Sequence, residues 1–286
     1  MRIRIIDAFT DQPFAGNPAA VCLLDGDAWP DEAWMQQLAA ELHLSETAFA
    51  RPLTADADAD WGLRWFTPAV EVDLCGHATL ATVHALRTDG RAVGVVRFRT
   101  RSGVVGGQVD ESGAITLDFP AASISDAPAP HGLAAALGAV PDSVHTTGAL
   151  RYLLAVVADE PTVRTLTPDI AALEDVTRAT GDYGVIVTAR AADPDRGYDF
   201  VSRYFAPVDG IPEDPVTGSA HTALAPYWSA RLGDDRLTGR QVSARGGTVR
   251  TVLRGDRVEL VGRAVTVLDG HLQDAAVRGA VPRAVG

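Results

Sequence analysis

The feature that most constrains the fold of this chain is a short motif that occurs twice, about half the chain apart. The first copy, Arg64–Pro68, reads Arg-Trp-Phe-Thr-Pro, and the second, Arg203–Pro207, reads Arg-Tyr-Phe-Ala-Pro. Each copy is followed by an acidic residue, a short turn, a glycine and a helix-like segment. Further along the chain, the segment Arg101–Val104 resembles Arg245–Thr248. Chance similarity between two generic turns is the weaker explanation, because the landmarks keep their order and spacing. The repeat therefore predicts two units of similar structure.

Residue periodicity predicts the same elements in both halves, namely short strands arranged around one principal helix. The principal helices are predicted to run from Gly76 to about Arg87 and from Gly218 to about Arg231, with a further capped helix over 31–41. The Ala/Pro-rich segment 121–130 is the predicted linker. The predicted strands are 2–9, 19–24, 47–50, 62–67, 93–99, 103–109 and 114–119 in the first half, and 151–157, 184–189, 198–205, 240–245, 248–254, 257–262 and 264–268 in the second.

Composition excludes several kinds of chemistry and partner. With 286 residues, 47% of them hydrophobic and 22% charged, the chain is long enough for two folded domains. Its formal net charge of −12 disfavours nucleic acid as a partner, since that interaction needs a concentrated basic face. All 25 Lys or Arg positions are arginine. The lack of lysine excludes Schiff-base chemistry, attachment of pyridoxal phosphate and the phosphate-loop lysine.

Cysteine usage and hydropathy point to the cytoplasm. Cys22 and Cys75 are too few for a disulfide framework or for a metal cluster of their own, and they fit a reducing compartment. Residues 1–14 lack the apolar core of a signal peptide, and the longest strongly apolar run, Tyr152–Ala158, is too short to cross a bilayer. We therefore expect a cytoplasmic protein without a membrane partner.

The starts of the two principal helices are the candidate binding positions. A helix start offers unpaired backbone N–H groups and the positive end of the helix dipole, which together attract anions. If two related domains face each other, both starts would converge on one cleft and grip a carboxylate from two sides. Gly76, His77, Gly218 and Ser219 would form that grip. Taken singly, each motif is better explained as ordinary helix initiation, with a glycine at the turn because the backbone needs its freedom.

Groups that transfer protons cluster at the same two positions. Asp73, Cys75 and His77 surround the first helix start, whereas Asp214, Ser219 and His221 surround the second. Clustering of such groups beside an expected carboxylate site favours a catalytic role. A single histidine elsewhere in the chain is more simply explained as a core or surface residue.

Five segments of the sequence resemble the PhzF family of phenazine-biosynthesis-type isomerases. They are Asp7–Thr10, Phe14–Val21, Leu44–Phe49, Asp73–Thr79 and Asp214–His221, and the match spans nearly the whole chain. The resemblance implies an α+β fold of two similar diaminopimelate-epimerase-like domains, each a β-barrel-like sheet around a central helix, related by a pseudo-twofold duplication. It also implies an active site between the domains and a homodimer. We expect the domains at 1–122, completed by the tail 273–286, and at 131–272.

The resemblance also assigns roles to particular residues. Glu46 matches the family's catalytic acid/base carboxylate, and His77, Asp214 and Ser219 match residues that surround the substrate. The backbone at Gly76, Gly218 and Ser219, together with His77, matches the carboxylate cradle, while Asp73 and Cys75 are possible accessory residues. Without the resemblance, Glu46 would be read as a capping or ion-paired residue after Ser45. A carboxyl group in a cleft can both take and return a proton.

These assignments imply an isomerase that needs no cofactor or metal and moves a proton within a small carboxylate-bearing metabolite. The family's best-known reaction isomerises trans-2,3-dihydro-3-hydroxyanthranilate, and the substrate of this chain stays open. The alternatives are an epimerase or racemase, a hydrolase and a non-catalytic carboxylate-binding protein.

Each alternative has a feature against it or a test that separates it. Epimerases of this fold use one cysteine at each helix start. Here Cys75 occupies the first position, but the matching turn in the second half carries Val216 and Thr217. A hydrolase would use Ser219, His77 and Asp214, without the Gly-x-Ser-x-Gly turn around the serine. A metal site built from Cys75, His77 and His84 lacks a recognised spacing and a fourth ligand. A carboxylate-binding protein would show no turnover.

Overall fold

The computed structural model describes residues 1–26, 28–92 and 94–277, and the chain divides into two compact units. Unit 1 comprises Met1–Asp118 and the described part of Val261–Gly286, and unit 2 comprises Phe119–Leu260. Mixed helices and strands in both units confirm the predicted α+β class.

The elements follow one another along the chain in a strand-rich order. The strands are β1 (Arg2–Ala8), β2 (Asn17–Leu23), β3 (Glu46–Pro52), β4 (Trp61–Phe66), β5 (Glu71–Val72), β6 (Val95–Thr100), β7 (Gly103–Val109), β8 (Ile115–Pro120), β9 (Ser125–Ala127), β10 (Ser143–Thr146), β11 (Tyr152–Val156), β12 (Gly184–Arg190), β13 (Phe200–Ala206), β14 (Ile211–Asp214), β15 (Arg236–Gln241), β16 (Gly247–Arg254), β17 (Arg257–Gly262) and β18 (Ala264–His271). The helices are α1 (Glu32–Leu42), α2 (Gly76–Thr88), α3 (Leu133–Leu137), α4 (Glu160–Thr165), α5 (Ile170–Thr180), α6 (Gly218–Leu232) and α7 (Asp274–Val277).

The two units repeat one scheme of strand pairing. In unit 1, β1 lies antiparallel to β18 and β2, β2 lies parallel to β3, and β3 lies antiparallel to β4. In unit 2, β10 lies antiparallel to β9 and β11, β11 lies parallel to β12, and β12 lies antiparallel to β13. The strands that follow also correspond, because β4 pairs with β5 and β6 as β13 pairs with β14 and β15. The duplication predicted from the repeated motif is therefore a duplication of topology.

The repeated Arg-aromatic-Phe motif serves the same purpose in each unit. Nε of Arg64 donates to Oε1 of Glu71 over 2.7 Å, and the second guanidinium nitrogen bonds the other carboxylate oxygen. Arg203 makes the same two-pronged contact with Glu213, at 2.7 and 2.8 Å. Such paired, charge-assisted hydrogen bonds fix geometry as well as contributing energy. Each pair ties the long strand to the short strand that precedes the principal helix.

The principal helices α2 and α6 form the core of their units, because most of their residues are buried. Small residues allow strands to approach closely: a Cβ added to Gly107 of β7 would lie 2.6 Å from Cγ2 of Val83 on α2. α2 packs against β1, β2, β3, β7 and β18, and α6 packs against β15 and β16. In the described part of the chain, no helix is both long enough and apolar enough to span a membrane.

Several predicted elements differ from the observed ones for local reasons. The strand predicted over 240–245 is displaced, because the chain turns after Gln241, where the N–H of Gly246 donates to Oγ of Ser243 over 3.0 Å. The predicted linker 121–130 contains the short strand β9. α4 and α5 were not predicted, although Asp159 and Asp169 cap them as N-cap residues. Residue 93, the predicted start of a strand, lies outside the described residues.

The position of β18 moves the boundary between the units. The predicted second domain, 131–272, includes this strand, whereas β18 pairs with β1 from Arg2↔His271 to Ala8↔Ala264 and so lies in unit 1. The tail 273–286 was predicted to complete the first domain. Its described part contains α7, where the carbonyl of Ala276 accepts the indole N–H of Trp34 over 2.8 Å. Residues 278–286 lie outside the described residues.

Candidate active site

The first half of the candidate site lies where two neighbouring strands and a helix begin. β2 starts at Asn17 and β3 at Glu46, and these strands run parallel, with Ala19 opposite Glu46. Cys75 is the N-cap residue of α2, and His77 is the second residue of that helix. Because the elements start at the same edge of unit 1, they bring an amide, a carboxylate, a thiol and an imidazole together.

His77 is the centre of this cluster. Its Nε2 lies 3.1 Å from Oε2 of Glu46. Its Nδ1 lies 3.2 Å from Nδ2 of Asn17 and 3.5 Å from Sγ of Cys75. Asn17, Cys75 and His77 are buried, whereas Glu46 is half-buried. Glu46 is thus the most exposed member of the cluster, although its Oε2, the oxygen nearest His77, is itself buried.

The charges of the cluster change its proton affinities. Burial lowers the pKa of the His77 imidazole, but its contacts with Cys75 and Glu46 raise the pKa by a larger amount, so the net pKa lies well above its ordinary value. Burial, and then the negative charge of Glu46, raise the pKa of the Cys75 thiol to about 11. Cys75 is therefore a neutral thiol near pH 7, and a thiol rather than a thiolate is a poor nucleophile and base.

The same three side chains could hold a metal ion. One donor atom each from Glu46, Cys75 and His77 lie within 4.8 Å of one another. Oxygen, sulfur and nitrogen donors of this kind suit Zn²⁺, and a three-residue set leaves a coordination position open. The predicted metal site also included His84. This residue lies further along α2, where its Nε2 is 3.1 Å from Oγ1 of Thr266.

The second half of the candidate site lies at the start of α6 in unit 2. Ser219, the second residue of this helix, lies 3.1 Å from the hydroxyl of Tyr152, oxygen to oxygen. The hydroxyl of Thr217, the N-cap residue, donates to Oδ2 of Asp214. Burial raises the pKa of Tyr152, which therefore stays a neutral hydroxyl. This cluster offers hydroxyl groups and one buried carboxylate.

Gln241 fixes the turn between Asp214 and the start of α6. Its side-chain oxygen accepts the backbone N–H of Thr217 over 2.9 Å, and its side-chain nitrogen donates to the carbonyl of Asp214 over 2.8 Å. The side chain is fully buried. One amide therefore holds both ends of the turn that carries Asp214.

The position of Glu46 has no acidic equivalent in unit 2. Thr47 opposes Phe66 in unit 1 as Val185 opposes Phe205 in unit 2, so Gly184 stands where Glu46 stands. A Cβ at Gly184 would lie 2.6 Å from the hydroxyl oxygen of Tyr204. The tyrosine ring therefore fills the space that a side chain at this position would need.

The two principal helices also begin differently from α1 and α5. α1 and α5 start at Asp31 and Asp169, whose carboxylates accept first-turn N–H groups over 3.2 and 3.1 Å. In the part of the chain that the structure describes, Cys75 and Thr217 form no such side-chain cap. The first-turn N–H groups of α2 and α6, including those of Gly76 and Gly218, are thus suited to an anion.

The predicted site residues separate into two groups. The structure brings Glu46, Cys75 and His77 together in unit 1, with Gly76 in the same helix turn. In unit 2 it places Asp214 against Thr217, the N-cap residue of the helix that begins with Gly218 and Ser219. Asp73 is exposed, and its backbone carbonyl accepts a hydrogen bond from the hydroxyl of Ser102. That both helix starts serve one cleft stays a prediction. In the proposed hydrolase triad, each member already has a different partner, because Ser219 contacts Tyr152, His77 contacts Glu46 and Asp214 contacts Thr217.

Sequence reasoning missed three residues of these clusters. Asn17 stands in a segment that carries the family resemblance, next to Gly16, and that glycine was a usable signal. Tyr152 and Gln241 lie in ordinary strand patterns. Nothing in their local sequence marks them, because their partners lie far away in the chain.

Comparison with known proteins decides the family. Residues 6–270 match the family described as phenazine biosynthesis-like protein, PhzC-PhzF. The chain belongs to the PhzF family. It is 48% identical to an uncharacterized isomerase of Pseudomonas aeruginosa over 269 residues, which cover 93% of this chain and 96% of that protein. It is 40% identical to a phenazine biosynthesis-like domain-containing protein of Rattus norvegicus, over 94% of this chain and 98% of that one.

Solved structures agree with the fold predicted from the resemblance. A PhzF-family protein from Enterococcus faecalis matches with a TM-score of 0.84 at 40% identity, over 95% of this chain and 99% of that one. A hydroxyproline epimerase from Agrobacterium vitis, solved with bound trans-4-OH-L-proline, matches with a TM-score of 0.62 at 15% identity, over 98% of both chains. The second likeness shows a shared epimerase-like fold and nothing of the chemistry.

Proposed function

We propose that this protein is a cofactor-independent isomerase that moves a proton between two carbons of a small carboxylate-bearing metabolite. Glu46 removes the proton from one carbon as its carboxylate becomes a carboxylic acid. The same oxygen then returns the proton to another carbon, so the enzyme ends unchanged and the substrate's double bonds have shifted. The isomerase names of the relatives support the reaction class.

The observation that carries this proposal is the contact between Glu46 and His77, with 3.1 Å between Oε2 and Nε2. A half-buried carboxylate beside an imidazole can exchange a proton within the site and need not release it to bulk water. Unit 2 has Gly184 at the equivalent position, which favours a mechanism with one acid/base over a mechanism with two. The high pKa of the Cys75 thiol also disfavours cysteine as the base.

Binding of the substrate carboxylate is assigned to the uncapped helix starts. The N–H groups of Gly76 and His77 begin α2, and those of Gly218 and Ser219 begin α6. Backbone donors at a helix start bind carboxylates through hydrogen bonds and the helix dipole. Asp214 and Ser219 are proposed to contact the polar groups of the substrate.

The test is turnover of trans-2,3-dihydro-3-hydroxyanthranilate, followed by proton NMR alongside a panel of small cyclic and amino acids. Glu46→Gln should lower kcat by at least about 10²-fold, the lower end of the usual contribution of general acid–base catalysis. Gln keeps the size and hydrogen-bonding reach of Glu but cannot carry the proton. Glu174→Gln is the matched control, because Glu174 pairs with Arg178 on the surface helix α5.

Two outcomes would count against the proposal. Full activity in Glu46→Gln would show that Glu46 is not the acid/base. Binding of carboxylates without turnover of any of them would instead support the carboxylate-binding alternative. Circular dichroism of both variants shows whether the fold is kept.

A further inference from the structure

The loop between β1 and β2 carries a sequence signature that the proposed function does not use. It spans the residues between Ala8 and Asn17 and contains two strained positions. Phe9 and Phe14 have φ of 61° and 69°, a left-handed conformation that bulky residues rarely adopt. Phe14 is also 74% exposed, so burial of its ring does not compensate the strain. Backbone strain of this kind persists where the surrounding structure enforces it, which is common near functional sites.

Two contacts enforce the conformation of this loop. The buried carboxylate of Asp7 accepts the backbone N–H of Phe14 over 2.7 Å. Gly16 has φ of 66°, and a Cβ there would lie 2.2 Å from the carbonyl oxygen of Ala8. A glycine is therefore required at this position, both because φ is positive and because a side chain would clash with the carbonyl of Ala8. Directly after it, Asn17 pairs with Ala8 and begins β2.

The loop therefore delivers Asn17 to one defined position. The side chain of Asn17 is fully buried, and its Nδ2 lies 3.2 Å from Nδ1 of His77. The opposite nitrogen of the same ring, Nε2, lies 3.1 Å from Oε2 of Glu46. The imidazole is thus held between an amide on one side and a carboxylate on the other.

We propose that Asn17 is the positioning residue of His77, and that its amide holds the Nδ1 edge of the ring so that Nε2 faces Glu46. An amide suits this place because it can donate to a neutral imidazole and, when turned, accept from a protonated one. The thiol of Cys75, 3.5 Å from the same nitrogen, is a weaker partner. The inference rests on the proposed function, since orientation of His77 matters for catalysis only if Glu46 transfers the proton.

The test is ¹⁵N NMR of protein labelled at histidine, in two variants. Asn17→Leu keeps the volume but removes the polar partner, so both nitrogen shifts of His77 should move toward those of a free imidazole. In Asn17→Asp, the ionised carboxylate can only accept and adds a negative charge beside the ring, so Nδ1 of His77 should keep its proton to a higher pH than in the unchanged protein. Glu46 and Cys75, the titratable groups that contact the ring, are the same in both variants. His84, held by Thr266, is the internal control and should not move.

Unchanged His77 signals in the variants would overturn the proposal. If Asn17→Leu does not fold, which a shift of His84 would reveal, Asn17→Asp alone decides the question. In activity, Asn17→Leu should lower kcat by about 10- to 100-fold with little change in KM, as losing an orienting partner does in other sites. Asn17→Asp should recover part of that loss.

The two proposals fail in different ways. If the His77 signals move as expected but the unchanged protein turns over no small acid, the contact stands and the proposed function fails. If Glu46→Gln abolishes activity while the His77 signals ignore Asn17, the function stands and the positioning role is wrong.

Discussion

The starts of α2 and α6 share a backbone frame but carry different chemistry. In both helices, the fourth residue bonds the carbonyl of the N-cap residue: Thr79 donates to Cys75, and Nδ1 of His221 donates to Thr217 over 2.8 Å. The second residue is His77 in α2 and Ser219 in α6. A hydroxyl and an imidazole have thus exchanged places between the copies.

The neighbouring strand shows the same divergence. β3 begins with Glu46, which faces His77, whereas β12 begins with Gly184, whose space is filled by Tyr204. Both copies have kept the strand pairing order and an Arg–Glu clamp, Arg64–Glu71 in unit 1 and Arg203–Glu213 in unit 2. Unit 1 holds an imidazole, a thiol and a carboxylate at its helix start, whereas unit 2 holds hydroxyls and the buried carboxylate of Asp214. The two units therefore share a strand topology although the side chains at their helix starts differ.

The largest expected effect concerns acid stability. Burial lowers the pKa of His221 from 6.5 to about 4. Between pH 6.5 and 4, His221 is therefore protonated in the unfolded chain but neutral in the folded chain. The free energy of unfolding should fall by about 3 kcal/mol as pH drops through this range. His221→Gln, whose amide can still donate to Thr217, should remove this part of the pH dependence, measured by urea unfolding at each pH.

His77 should behave with the opposite sign. Its folded-state pKa is raised, so its stabilising contribution is present below pH 6.5 and is lost as pH rises through the raised value. The difference in unfolding free energy between the unchanged protein and His77→Gln should therefore shrink at high pH. If His77 and His221 showed the same sign, the claimed difference between the two helix starts would be wrong.

A smaller effect is expected from filling the empty position in unit 2. In Gly184→Ala, the new Cβ would meet the carbonyl oxygen of Phe205 and the hydroxyl of Tyr204, each at 2.6 Å. Overpacking of this kind should cost about 2 kcal/mol in the free energy of unfolding. The matched control is Gly106→Ala in β7, where nothing lies within 4 Å of the added atom. Equal stability of the two variants would show that Tyr204 does not block this position.

The smallest stability effects should come from the shared Arg–Glu clamps. Replacing Glu71 or Glu213 with Gln removes the carboxylate that holds both prongs of the arginine and should cost between about 1 and 2 kcal/mol, although Arg64 keeps its ion pair with Glu32 at 2.6 Å. Glu71→Gln should cost more, because Glu71 is more buried and also contacts Arg101 at 2.8 Å. Glu259→Gln, from the exposed pair with Arg254, should change stability by less than about 1 kcal/mol. A neutral effect in one clamp alone would mean that the copies no longer share this support.

The sequence predicted features that depend on neighbours in the chain. The principal helices begin at Gly76 and Gly218 as predicted, because a small residue after a turn and a continuous run of small and apolar residues are local signals. The PhzF resemblance carried the fold class for the same reason, through short contiguous motifs. The chain turn after Gln241 and the helix α5 were less visible, since their limits depend on capping and tertiary packing.

The site itself could be predicted only in part. The resemblance pointed to Glu46, but the contact with His77 joins two elements that are distant in sequence. Tyr152 and Gln241 contact partners on other elements, so no local pattern distinguishes them from ordinary strand residues. For Asn17, the only local signal is the neighbouring Gly16, and its contact with His77 depends on how β2 and α2 pack.

The central claim, that Glu46 rather than Cys75 transfers the proton, is tested most directly by running the reaction in heavy water with two variants. Deuterium incorporation at the reacting carbons and product formation are followed together by NMR in Glu46→Gln and Cys75→Ala. We expect Glu46→Gln to lose both signals, and Cys75→Ala to keep product formation within a few-fold of the unchanged protein, because its buried thiol has a pKa of about 11. An active Glu46→Gln enzyme beside an inactive Cys75→Ala enzyme would assign the proton transfer to the thiol and contradict the mechanism.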